Sequence, residues 1–132
     1  MGPRTGLLRF SLLALALTFA MPTSAVAGGR PTRKDVQMVA PALDKYTQDR
    51  LLGEVWKRPD LSPRDRSLVT ISALIANGQV AQLTGHIPIG MNNGLTQPEI
   101  AEAITHLAFY VGWPNVFSAM PVAKEVFEKR AR

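Results

Sequence analysis

The sequence contains two histidines, His86 and His106, and both fall in a stretch, Ser67 to Ala123, that has no lysine or arginine and only Glu99 and Glu102 as acids. Imidazole has a proton affinity near neutral pH, and apolar surroundings move it easily, so both rings are candidates for general acid or base work. His86 shares its segment with Gln82 upstream and with Asn92 and Asn93 downstream, a polar edge able to line a pocket. His106 stands four residues after Glu102, which on a helix puts carboxylate and imidazole on one face and lets them pair. Tyr110 and Trp113 continue that region, so Glu102 and His106 serve either as a helix salt bridge or as a pair that orients a substrate. Arg66 borders the uncharged stretch and is either a solvated residue of a first helical turn or an anion-recognising one. The reading that unites these residues has both imidazoles facing one enclosed space. The competing reading makes each a hydrogen-bonded core histidine.

Other chemistries are disfavoured. A catalytic zinc site needs three protein ligands, which His86, His106 and Glu102 could supply, but their spacing follows neither HxH nor HExxH, and no metal or other cofactor is expected. Ser67, Ser72 and Ser118 read as helical, and no G-x-S-x-G turn occurs. With no cysteine anywhere, disulfides, thiolate metal sites and thiol redox catalysis are excluded together. The basic residues between positions 30 and 66 are interleaved with Asp35, Asp44, Asp49, Glu54, Asp60 and Asp65, so no nucleic-acid partner is expected.

The elements that must position these groups read as helices. Arg4 and Arg9 precede an apolar run of about a dozen residues and then Ala25-Val26-Ala27, the pattern of a cleavable signal peptide over residues 1–27 and too short to span a bilayer. Its removal takes two positive charges from a formal net charge of +5 and leaves +3. The mature protein is then expected to be secreted or periplasmic, with no membrane partner. Residues 28–38, with Gly28, Gly29 and Pro31, read as a flexible leader, and residues 39–132 as one domain.

Pro41 interrupts or starts a first helical region from Val36 to Leu52, which overlaps the end of the leader. Ser62-Pro63-Arg64-Asp65 is a helix start, with Ser62 as cap and Pro63 in the first turn, and Asn77-Gly78 is the stop. A helix over residues 79–93 carries Pro88, where a kink or break is expected. Thr96-Gln97-Pro98-Glu99 is a capping box opening a helix to Tyr110 or Val111, and Gly112-Trp113-Pro114 separates it from a last helix over Asn115 to Arg130. No period-2 run argues for a strand. The fold expected is all-α, with about five to six helices. A segment as uncharged as residues 67–123, in a chain too small for a large core, predicts a homo-oligomer that buries it.

Four ordered segments then carry a resemblance. Leu61-Ser62-Pro63-Arg64-Asp65-Arg66-Ser67-Leu68-Val69-Thr70, His86 with Asn92-Asn93-Gly94-Leu95-Thr96, Glu99-Ile100-Ala101-Glu102, and His106-Leu107-Ala108-Phe109-Tyr110-Val111-Gly112-Trp113-Pro114 together resemble the carboxymuconolactone decarboxylase family over roughly residues 40 to 130. The resemblance implies an all-α subunit that assembles into trimers or hexamers. It implies a decarboxylase that needs no cofactor, acting on a small carboxylate or carboxylated lactone. His86 is then the proton donor, Arg66 or His106 gives electrostatic support, and Trp113 is a pocket wall, with Glu102, Tyr110 and Gln82 also touching substrate. Relatives in the wider alkylhydroperoxidase D-like superfamily place Cys-x-x-Cys ahead of the matching histidine. Here those positions hold Gln79 and Gln82, which rules out a thiol peroxidase. An export signal on such a chain points to an acid other than one degraded in the cytosol. The alternative from another class is an oligomeric small-molecule binder or accessory subunit that keeps the pocket without the chemistry.

Overall fold

A computed structural model of the chain describes residues 30–131, together with Gly2; the expected signal peptide lies outside the described residues. Six α-helices follow one another: α1 (Arg33–Val39), α2 (Pro41–Tyr46), α3 (Pro63–Ala76), α4 (Val80–Asn92), α5 (Gln97–Val111) and α6 (Trp113–Arg130). Among the described residues there is no strand. Between α2 and α3 the chain passes through a π-helical stretch, Thr47–Leu52, and a 3-10 turn, Val55–Lys57.

The boundaries follow from the residues at them. Ser62 accepts a hydrogen bond from the Asp65 amide at 3.1 Å, which satisfies one of the free N–H groups at the start of α3. Gly78 takes φ +67° in the turn to α4, a conformation that side chains with a Cβ rarely adopt. At the head of α5 the Thr96 hydroxyl accepts from the Glu99 amide at 3.3 Å while the Glu99 carboxylate accepts from the Thr96 amide at 2.9 Å, a complete capping box. Gly112, at φ +87°, turns the chain between α5 and α6.

Packing builds one core from four helices. Ile71 and Ile75 of α3, Leu83 and Ile87 of α4, Ile100 and Ile104 of α5, and Val116, Ala119 and Ala123 of α6 are buried together. The three- and four-residue steps within each set define one inward stripe per helix. α3 packs on α4, α5 and α6, and α4 and α5 each pack on α6. Gly90 lets α4 approach α3 closely, since a Cβ there would lie 3.0 Å from Cδ1 of both Ile71 and Leu95. A buried polar bridge crosses the same contact, Asn93 Nδ2 donating to the Ser67 hydroxyl at 2.9 Å.

Three expectations change. Residues 33–38, expected as flexible leader, belong to α1, because Thr32 and Asp35 form a second capping box and Arg33 docks on the buried Asp44 of α2 at 2.9 Å. Pro88 does not break α4, which runs through it. The amide that Pro88 lacks would have met the carbonyl of Thr84, an exposed residue whose carbonyl can turn to water. Finally α6 starts at Trp113 rather than Asn115, with Pro114 accommodated in its first turn.

Candidate active site

Helical phase decides which side chains meet. On α3, Arg64, Leu68 and Ser72 repeat every fourth residue and make one wall of a groove. Glu99, Glu102, Ala103, His106 and Leu107 of α5 make the other, enclosing about 400 Å³. Arg64 spans the mouth, donating to Asp65 at 2.8 Å and to the Glu99 carboxylate. Hydrogen bonds from the backbone and hydroxyl of Thr96, and then from Arg64, hold the Glu99 carboxyl below the usual carboxylate range. One carboxylate therefore caps α5 and ties it to α3.

Glu102 and His106 both line this groove, as their spacing predicts, but no ion pair or hydrogen bond joins them. The His106 ring instead stacks on Tyr110, centroids 4.7 Å apart and planes tilted by 35°. Tyr110 and Trp113 are exposed, and Trp113 sits edge-on between Phe109 and Phe117 at 6.2 and 5.6 Å. Phe109, Trp113 and Phe117 form a surface row rather than a pocket wall.

His86 is elsewhere. It lies half-buried on α4, one turn after Gln82, and is absent from the lining of the α3–α5 groove. Within one chain the two imidazoles do not converge on a single void. Burial, and secondly the positive charge of Arg30, push the His86 pKa below its ordinary value. Gln82 lines a separate void of about 210 Å³ with Arg30, Arg33 and Asp44. Arg33 and Gln37 both donate to Asp44 there, Arg33 above all holding that carboxyl low.

Arg66 belongs to neither place. Its guanidinium donates to the carbonyls of Leu61 at 3.1 Å and Arg58 at 3.0 Å, and so fastens the loop that precedes α3. The groove cation is Arg64, two residues earlier, which the sequence reading passed over. Its four-residue spacing from Leu68 and Ser72 was the available signal. Among the described residues no group of three or more acids and histidines is gathered to hold a metal ion, and no helix is long and apolar enough to cross a membrane.

Comparison with known proteins gives these positions a context. A 4-carboxymuconolactone decarboxylase from Acinetobacter baylyi is 46% identical over 76 residues, 58% of this chain and 57% of that protein. A nitrosuccinic acid decarboxylase from Metarhizium robertsii is 40% identical over 73 residues, 55% of this chain and 51% of that one. An uncharacterised 15.0 kDa protein of Paracoccus denitrificans is 27% identical over 94 residues, 70% of each. The chain spans little more than half the length of the two decarboxylases it matches. Residues 41–125 match the model of the carboxymuconolactone decarboxylase family. That stretch runs from the start of α2 into α6 and takes in both histidines and nearly the whole core; this chain belongs to the carboxymuconolactone decarboxylase family.

Proposed function

We propose that this protein is a carboxy-lyase that removes carbon dioxide from a carboxylated lactone or a similar small organic acid, with His86 donating a proton to a carbon of the resulting dienolate. The observation that carries the reading is that two relatives named for different acids share one reaction, decarboxylation. In a γ-carboxylated unsaturated lactone the bond from the ring carbon to the carboxylate breaks, carbon dioxide leaves, and the electron pair spreads through the ring onto the lactone oxygen. A proton from an imidazolium nitrogen then forms the new C–H bond, and the imidazole takes its proton back from solvent. The substrate supplies its own electron sink, so this route calls for no cofactor.

His86 suits the donor role because its surroundings disfavour the charged ring, so an imidazolium formed there gives up its proton more readily than an ordinary one. An approaching substrate anion has the opposite effect and helps load that proton. The test is carbon dioxide release from 4-carboxymuconolactone and from nitrosuccinic acid. His86→Ala should slow it by about 10²- to 10⁴-fold, the usual contribution of a positioned acid or base. Undiminished release in that variant removes His86 from the mechanism.

The α3–α5 groove is the competing location, favoured by its volume of about 400 Å³ and by Arg64 and His106 on its walls. Loss of turnover in His106→Ala and Arg64→Gln, with His86→Ala active, would move the chemistry there. The leader pattern of residues 1–27 supports an acid met outside the cytoplasm, and cell fractionation tests that placement. The exposed aromatic row supports assembly into a homo-oligomer.

A further inference from the structure

We propose that Arg30, reaching from the segment ahead of α1 onto α4, forms with Gln82 and His86 a binding site for the carboxylate of a small organic acid. The inference rests on the decarboxylase reading and adds to it a residue outside the family match, which begins at residue 41. Geometry at Gly85 carries it. A Cβ built on that glycine would stand 2.0 Å from Nη1 of Arg30, 3.0 Å from Cζ and 3.1 Å from Cδ, so the guanidinium occupies the space a side chain would fill. Gln82 lies one turn before His86 on the same helix, and Arg30 and Gln82 line one void. The guanidinium is thereby laid against α4 at Gly85, in the void that Gln82 lines and next in sequence to His86, on which its charge acts.

Charge accounting in that void points to an anion. Its one acid, Asp44, is engaged by Arg33 at 2.9 and 3.2 Å and by Gln37 at 2.9 Å. Arg30 has no ion pair or hydrogen bond to any described residue. Its positive charge is also felt at His86, whose pKa it depresses after burial does. A carboxylate seated here would neutralise Arg30, accept from Gln82 and reverse that depression.

Other elements bring no competing acid. α3 carries no charged residue after Arg66, and Glu125, Lys129 and Arg130 of α6 gather around Thr84 and Pro88. Those two residues lie about 160° from His86 around α4, two positions away at roughly 100° per residue. Arg33 and Asp44 are the other charged residues lining the void, and they pair with each other.

Succinate is the probe, titrated into the purified protein while the His86 ring protons are followed by NMR. Binding should move those resonances and raise the pH at which the ring titrates. Arg30→Gln should weaken binding by about tenfold to a hundredfold, the loss expected for one charge-assisted contact. Gly85→Ala should do the same by displacing the guanidinium without touching its charge, and should keep the helix because alanine favours it. Lys34→Gln, which removes the same charge from an exposed site on α1, should leave binding unchanged. Absent His86 shifts with succinate, equal affinity in Arg30→Gln and Gly85→Ala, or equal weakening in Lys34→Gln overturns the site. Arg30-dependent binding without carbon dioxide release from either acid would sink the decarboxylase reading and keep the site. Release by Arg30→Gln at unchanged KM would do the reverse.

Discussion

At the scale of single residues, His86 makes stability depend on pH in a direction that can be worked out. Burial first, and Arg30's charge second, favour the neutral ring in the folded chain, so its folded pKa lies below the ordinary 6.5. As pH falls through 6.5 the unfolded chain takes up this proton before the folded one does, and stability declines until the folded ring also titrates. Above that value the group has no effect. Urea midpoints measured at pH 7.5 and 5.5 should therefore fall further apart in the wild type than in His86→Gln, and equal slopes would contradict the assignment. The histidines could be singled out from sequence because they are rare and their neighbourhood is uncharged. Which void each would face could not, since that depends on helix phase and on contacts distant in sequence. Arg64 and Arg66 show the same limit: two positions on a helix point to nearly opposite sides, so one joins the groove and the other clasps a loop. Arg30's approach to Gly85 had no local signature at all.

Among the helices, the caps are the clearest case of local chemistry deciding structure. Thr96→Ala removes the hydroxyl that accepts from Glu99 and should cost about 1 kcal/mol in thermal or urea unfolding. Ile87→Ala, at a fully buried position on α4, should cost more, about 2–5 kcal/mol, because a cavity adds to the lost transfer energy. A cap variant as costly as the core variant would mean that the α3–α5 tie through Glu99, rather than helix initiation, dominates there. Ser62, Thr96, Asn77-Gly78 and Gly112 were legible as starts and stops because each acts within a few residues. The start of α1 was not, since Gly28, Gly29 and Pro31 read as leader, and its docking depends on Asp44 eleven residues on. Pro88 misled for a related reason: the missing hydrogen bond falls at exposed Thr84, where it is cheap.

For the whole molecule, the scarcity of charge in residues 67–123 reappears as apolar surface. Phe109, Tyr110, Trp113 and Phe117 are 77, 75, 55 and 57% exposed. Rings of about 150–250 Å² each then present on the order of 500 Å² of aromatic surface. That is near the largest patch a monomer usually tolerates and over half of one partner's share in a standard interface. Light scattering should accordingly find an assembly, and Trp113→Asp with Phe109→Asp should give a smaller species; a monodisperse wild-type monomer would refute this. The all-helical architecture and the family were legible from spacing and motif, whereas the aromatic row depends on how α5 and α6 are turned relative to each other across Gly112. Because exposed Tyr110, next in sequence to Phe109, stacks on His106 of the groove, a neighbour that settles on the tyrosine also touches the groove's wall. Ligand occupancy and subunit association would then be thermodynamically linked, so a dissociation constant measured on dilute protein would differ from one measured on concentrated protein.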